Sequence, residues 1–170
     1  MSATNARIAD AAETFGEWFG GEGKAIQRLD TVLGDRGFAR KTCQIGRFIR
    51  NGVNGTSLAG VIWGLAGRGH WHFDWDHMML VCTGVRLFQP RGGTTLGSVY
   101  IARYPNPDQR LMGHEAKHAD MWAVFGPAFA VLYVAEEARR LITGADNPAY
   151  NLFEAAAGAS DGGYLPRMVR

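Results

Sequence analysis

The sequence has few of the features that mark a disulfide-stabilised, membrane-spanning or nucleic-acid-binding protein. It contains two cysteines, Cys43 and Cys82, and neither stands at the C-x-x-C spacing of a structural zinc site. Its most apolar stretch, residues 58–66, is about half the length that a helix needs to cross a bilayer. The net charge of +2 is too small to make nucleic acid a bulk partner.

The composition is that of an ordinary globular domain. The chain has 170 residues, of which 46% are apolar and 20% charged, so we expect one domain over residues 1–170. A secretory signal has a basic segment followed by an apolar one, and residues 1–13 lack this pattern. We therefore expect a cytoplasmic protein with two buried free thiols.

Hydrophobic periodicity predicts an α+β fold. Residues 1–60 form a helical N-terminal region, with helices at 5–19 and 23–33, while residues 58–65 fit a helix or a strand equally well. Alternating residues predict strands from residue 71 to 87 and one strand over 94–102. Helices follow at 111–124, 128–142 and 150–157. We expect N-terminal helices, a small mainly antiparallel sheet, a metal helix and a glutamate helix, with the metal-site core in residues 70–158.

The most informative motif is in the first of these three helices, where residues 114–118 read H-E-A-K-H. On a helix, His114 and His118 lie one turn apart on the same face, so that both imidazoles can bind one zinc ion. Glu115 lies beside the open metal position, where the general base of a zinc hydrolase stands. The motif predicts a zinc site with His114 and His118 as ligands and Glu115 as the catalytic base.

A catalytic zinc ion takes a third protein ligand, and Glu154 is available on the short helix near the C-terminus. The helix between the two segments allows the chain to double back. A strand before the metal helix can lie along the cleft and pair with an extended peptide substrate. In this mechanism the zinc-bound water loses its proton to Glu115, which returns it to the leaving group.

Two residues depart from a standard zinc protease motif. Lys117 puts a cation inside the motif, and its direction on the helix predicts a solvated side chain. Asp120 lies too far round the helix to bind the same ion, and we expect it on the surface.

Several segments together resemble a family of small bacterial zincin-like proteins of the gluzincin type, many of them from actinobacteria. The resemblance covers residues 74–158. It joins the strand at 94–101, the H-E-x-x-H helix, the Gly-Pro break at 126–127, a second helix and the Asn-Pro…Glu segment at 147–154. It implies a zinc-dependent metallopeptidase that cleaves peptides or proteins, with Glu154 as third ligand. Glu137, close to the spacing of thermolysin-like gluzincins, stays as the alternative ligand.

The rival interpretation is a catalytically inactive zincin-like scaffold that binds a partner or completes an assembly. The N-terminal helices, with Trp18 and Phe19, would then contact a protein partner. Residues 37–50 are basic and contain no acid, which suits peripheral contact with a membrane or a solvated helix whose apolar side covers the core. The His- and Asp-rich segment 70–77 predicts a polar strand face rather than a second metal site.

Overall fold

The computed structural model describes residues 3–18, 23–34, 37–87 and 92–164. Within these ranges the chain forms seven α-helices, a short 3-10 helix and four strands, so the predicted α+β class is confirmed. The helices are α1 Ala3–Trp18, α2 Lys24–Leu33, α3 Phe38–Val53, α4 Thr56–Ala66, α5 Gln109–Phe125, α6 Ala128–Ile142 and α7 Leu152–Ala157, with the 3-10 helix at Pro148–Tyr150.

The sheet is small and mixed. Its strands are β1 His70–Asp74, β2 Met79–Thr83, β3 Gly93–Leu96 and β4 Val99–Ala102, in the order β1-β2-β4-β3. The β1–β2 and β3–β4 pairs are antiparallel, and the central β2–β4 pair is parallel. The prediction of one strand over 94–102 was wrong: Gly97, with a φ of +61°, turns the chain back, which makes β3 an edge strand.

Helices cover both faces of the sheet. On one face, side chains of β2 and β4 pack against Met112, Ala116 and Ala119 of α5. α4 lies on the other face, so residues 58–65 form a helix and not a strand. Gly60 and Gly64 bring α4 so close to the sheet that a Cβ at either position would overlap neighbouring side chains. This close approach explains the glycines in an otherwise apolar helix.

α3 packs against α5 with its polar side. The Arg47 guanidinium, with a side chain only 2% exposed, donates to the carbonyl of Ala116 at 2.9 Å and to the carbonyl of His77. It also pairs with Asp120 at 3.4 Å. Two predictions were therefore wrong: that the apolar side of α3 covers the core, and that Asp120 lies on the surface. The polar side of α3 faces inward because the buried carbonyls and the buried Asp120 carboxylate need hydrogen-bond donors.

The C-terminal helices double back as predicted. α5 ends at Gly126, whose φ of +57° and ψ of −146° are open to glycine alone, and α6 then begins in a new direction. α1 packs on α7, where Gly16 lies against the main chain of Ala156 so closely that a Cβ would overlap the carbonyl. The N-terminal helix thereby supports the helix that carries Glu154.

The cysteines differ in exposure. Cys82 is buried in the sheet as predicted, whereas Cys43 is exposed on α3, which corrects the prediction of two buried thiols. Trp18 is half-exposed beneath the guanidinium of Arg28, and Phe19 lies outside the described residues.

Within the described ranges, no single helix has the length and apolar character needed to cross a bilayer. α5 and α6 pass such a test only as a pair, and they are bent by 118°.

Candidate metal centre

α5 places the two histidines and Glu115 inside the protein. The helix begins at Asp108, whose carboxylate accepts a hydrogen bond from the amide of Leu111 at 2.8 Å and so caps the first turn. One and a half turns later His114, Glu115 and His118 are all buried. Buried polar groups need hydrogen-bond partners, so these three side chains must bind other groups of the protein or a ligand.

α7 brings Glu154 to the same point. Asn151 caps this helix by accepting from the amide of Phe153 at 2.9 Å. The carboxylate of Glu136 accepts from the amide of Leu152 at 3.0 Å, and that of Glu137 accepts from the Asn151 side chain at 2.8 Å. Glu137, the alternative ligand, therefore makes a different contact: it accepts a hydrogen bond at the start of the helix that carries Glu154.

Three donor atoms converge. Nε2 of His114 lies 3.1 Å from Nε2 of His118 and 3.1 Å from Oε2 of Glu154. Nε2 of His118 lies 3.4 Å from the same oxygen. Two ligand atoms bonded at about 2.1 Å to one tetrahedral zinc ion are about 3.4 Å apart. The spacing and the donor types therefore fit a zinc ion, with two nitrogens and one carboxylate oxygen.

Further contacts orient each ligand. Nδ1 of His114 lies 3.0 Å from the carbonyl of Gly158, so that this nitrogen carries the proton and Nε2 keeps its lone pair for a metal. Gly162 packs its main chain on the same imidazole, where a Cβ would lie 2.6 Å from Cε1. The Tyr133 hydroxyl donates to Oε1 of Glu154, which leaves Oε2 facing the histidines.

The neighbouring histidines favour the ionised form of Glu154. Burial alone would raise the pKa of Glu154, but the charges and hydrogen bonds of His118 and His114 outweigh burial and hold this pKa well below its usual value. Burial alone would lower the pKa of His114, but the hydrogen bond to the Glu154 carboxylate and the charges of Glu115 and Glu154 raise it. Glu154 is thus ionised, as a metal ligand must be.

Glu115 lies next to the ligands and is held by the edge strand. Its Oε2 accepts a hydrogen bond of 2.6 Å from the hydroxyl of Thr95 on β3. Tyr100 lies nearby, where burial, followed by the charge of Glu115, raises the pKa of its phenol. The hydroxyl of Tyr100 fits against Gly93, since a Cβ there would lie 2.2 Å from it.

Two cavities meet at the site. One, of about 290 Å³, is bounded by the three donor residues together with apolar side chains, among them Leu96, Trp122, Phe129 and Val134. The other, of about 380 Å³, is more polar and runs past Tyr104 and Asn106. Both include His114, Glu115, Gly93 and Tyr164, so the two cavities adjoin at His114 and Glu115.

β3 presents part of its edge to the cavity. Its pairing with β4 directs the main-chain groups of Gly93 and Thr95 away from the sheet. The indole of Trp122 donates to the carbonyl of Thr95 at 2.8 Å and so occupies one of these acceptors. Gly93 is the second edge residue with outward-facing groups, and its carbonyl accepts from the hydroxyl of Thr94 at 2.9 Å. The Gly93 amide is therefore the group of this strand end that remains for the pairing predicted from the sequence.

Other predicted positions lie apart from the site. Lys117 is half-buried rather than solvated, with its Nζ beside Gly158. In segment 70–77 the strand ends at Asp74, and His77 is buried with its Nδ1 3.0 Å from the Asp74 carboxylate. Among the described residues, His114, His118 and Glu154 form the group whose side chains could hold a metal ion.

The sequence reasoning missed Tyr133, Thr95 and the carbonyl of Gly158. Tyr133 carries a weak signal, because it is the one residue with a hydroxyl on the apolar first half of α6. Thr95 belongs to the strand segment that carries the resemblance, but no spacing rule connects it to Glu115. Gly158 acts through its main chain, which leaves no trace in the residue type.

No family model matches the chain, and neither the curated proteins nor the solved structures contain a significant match to it.

Proposed function

We propose that the protein is a zinc-dependent hydrolase that cleaves peptide bonds. The observation that carries this proposal is the convergence of Nε2 of His114, Nε2 of His118 and Oε2 of Glu154 beside the carboxylate of Glu115, in a cavity that a substrate can enter. A structural zinc site has four protein ligands, whereas three ligands next to a general base are typical of a catalytic site.

His114, His118 and Glu154 would hold the ion. When bound, zinc supplies a Lewis acid that polarises the scissile carbonyl and acidifies water. Tyr133 fixes the carboxylate of Glu154 from behind, and the carbonyl of Gly158 fixes the His114 ring. These outer contacts keep the donor atoms in place, which raises affinity for the metal.

Glu115 moves the proton. The Thr95 hydroxyl fixes its carboxylate through Oε2, and we assign Oε1 to take the proton of the attacking water and to deliver it to the leaving amine. General acid–base catalysis of this kind contributes about 10²–10⁴-fold to the rate.

A peptide or protein is the substrate class that suits the surroundings best. Support comes from the outward-facing amide of Gly93 on an edge strand, since an extended peptide pairs with such groups. The apolar cavity beside the ligands suits a large apolar side chain of that peptide. The second cavity suits the polar continuation of the chain on the other side of Glu115.

The test is the isosteric change Glu115→Gln. The purified protein is loaded with one equivalent of zinc and incubated with a mixed library of quenched fluorescent peptides, and cleavage is followed by fluorescence and mass spectrometry. We expect Glu115→Gln to retain zinc and to lose at least about 100-fold in turnover, because only the base has been removed.

Glu13→Gln is the matched control, since Glu13 is exposed on α1 and lines neither of the two cavities. This variant should cleave at the wild-type rate. Turnover that survives Glu115→Gln would contradict the mechanism, and so would loss of zinc in that variant.

A second candidate is a zincin-like binding protein without activity. It is favoured by the apolar residues that α3 exposes, which a partner could cover. Stoichiometric zinc in the protein, with no cleavage of any peptide in the library, would select this candidate over the peptidase.

We also propose that the protein works in the cytoplasm. Both cysteines are free, and the thiol of Cys43 is exposed, which is typical of a reducing compartment. A net charge of +2 gives no electrostatic reason to propose nucleic acid as a partner.

A further inference from the structure

α3 carries its polar side inward and its apolar side outward, the reverse of an ordinary surface helix. The inward side consists of Gln44, Arg47 and Asn51, all buried. Gln44 donates to the carbonyl of Asp76 at 2.9 Å, and Asn51 donates to the carbonyl of Ala119 at 2.9 Å. The helix is therefore fixed to the domain by hydrogen bonds, and its orientation is not free to reverse.

The outward side is a continuous apolar stripe, which we define as Phe38, Ile45, Ile49 and Val53. At 100° per residue these four lie within an arc of about 80°. All four are exposed, Ile49 by 58% and Val53 by 84%. Thr42 lies within the same arc, and its hydroxyl donates back to the carbonyl of Phe38 at 2.8 Å, so that the methyl group is what it presents.

Two exposed basic residues flank the stripe. Residues 36–73 include no Asp or Glu, and their basic residues are Arg36, Arg40, Lys41, Arg47, Arg50 and Arg68. On α3, Lys41 lies on one side of the stripe and Arg50 on the other, both exposed. Asp30 accepts hydrogen bonds from the amides of Ala39 and Arg40 at the start of α3. Asp74 is paired with His77, and Asp76 is exposed in the same turn as Trp75.

An exposed aromatic ring stands at one end. Trp75, in the turn after β1, is 70% exposed, and its carbonyl accepts a hydrogen bond from the ammonium group of Lys41. Trp75 and Lys41 are thus held together near the start of α3. An indole beside a lysine is the pair of side chains that favours the boundary between water and lipid head groups.

We infer that α3 is a docking surface for an anionic lipid bilayer, on which the stripe enters the head-group region while Lys41 and Arg50 contact acidic lipids. Apolar residues give such a helix its depth, and flanking basic residues give it selectivity for negative charge. The exposed cations Lys41 and Arg50 on the two sides of the stripe fit a negatively charged partner. This surface is separate from the metal site, so the inference does not depend on the proposed hydrolysis.

The test is co-sedimentation of the full chain with vesicles. Wild-type protein is mixed at low salt with vesicles of phosphatidylcholine alone or of phosphatidylcholine with phosphatidylglycerol, and the bound fraction is measured after pelleting. We expect binding to the anionic vesicles at least about tenfold stronger than to the neutral ones, and weaker binding as salt is added.

Paired variants separate the stripe from general stickiness. Ile49→Ser/Val53→Ser should lower binding about tenfold or more, whereas Leu141→Ser/Ile142→Ser, at residues of similar exposure on α6, should leave it unchanged. Arg50→Glu should lower binding about fivefold or more, and Arg7→Glu on α1 should not. Circular dichroism checks that each variant folds, which is expected because every changed side chain is exposed.

Three results would overturn the inference. The first is wild-type protein that stays in the supernatant with anionic vesicles. The second is equal binding of the stripe variant and its α6 control. The third is a dimer in light scattering that Ile49→Ser/Val53→Ser separates into monomers without any vesicle binding, because the stripe would then be an interface between copies.

Discussion

α5 and α3 are adjacent helices of similar length, and both bury polar side chains, but the two sets of polar residues have different roles. In α5, His114 and His118 turn their donor atoms toward one point where Glu154 also lies. In α3, Arg47 and Asn51 reach separate main-chain carbonyls of other elements. Buried polar residues therefore indicate a site when their atoms converge, and a structural joint when they diverge.

The largest effect should come from removing a converging atom. His118→Ala takes one of three ligands away, so zinc affinity should fall by more than the about 100-fold that follows loss of an outer contact. Isothermal titration with zinc into metal-free protein measures this loss. His72→Ala, on the exposed side of β1, is the control. Equal zinc affinity in the two variants would contradict the convergence of ligands in α5.

The second prediction concerns the buried polar residues of α3, whose atoms diverge. Arg47→Met leaves Asp120 buried without its cation, which should cost about 3–5 kcal/mol of unfolding free energy. Urea denaturation measures this cost. The matched change Arg50→Met, at an exposed arginine of the same helix, should cost at most about 0.5 kcal/mol. If the two variants unfold alike, α3 does not hold the domain through Arg47.

The third prediction tests whether the outer contacts of the site matter. Tyr133→Phe removes the hydroxyl that fixes Oε1 of Glu154, so zinc affinity should fall about 10–100-fold while the fold stays intact. Competition with a zinc-binding dye measures the affinity. Tyr104→Phe, at an exposed tyrosine, should match the wild type. A Tyr133→Phe variant with wild-type affinity would show that Glu154 needs no second anchor.

The smallest effect follows from protonation. A histidine binds metal only when neutral, and the pKa of His114 is raised: burial lowers it, but Glu154 and Glu115 more than offset burial. The proton therefore competes with zinc at higher pH than for an ordinary histidine, and affinity should fall about tenfold per pH unit below that pKa. Dye competition from pH 8 downward checks this. Affinity that rises on acidification would contradict the assignment of the ligand.

Part of the site and of the fold could be predicted from the sequence. The two histidines and Glu115 lie within five residues, so helical geometry alone relates them, and the structure brings His114, His118 and Glu154 together as predicted. The class of the fold followed from the change of hydrophobic period near residue 71. The helix over Ala128–Ile142 was predicted because a glycine and a proline mark its start.

The failures have a common physical origin. Arg47 of α3 faces inward because it donates to the carbonyls of His77 and Ala116, which are distant from it in sequence. The apolar stripe of α3, whose pattern predicts a side that faces the core, is exposed as a result. Asp120 was assigned to the surface for the same reason, since its partner Arg47 is also distant. Thr95 reaches Glu115 only because Gly97 turns the predicted single strand into a hairpin.

The central claim is that His114, His118 and Glu154 hold one zinc ion. Elemental analysis of the purified protein, beside His114→Ala prepared in the same way, tests it most directly. The site described above predicts about one zinc per chain in the wild type and less than about one tenth in the variant. Wild-type protein without metal after incubation with zinc, or equal zinc in both preparations, would contradict it.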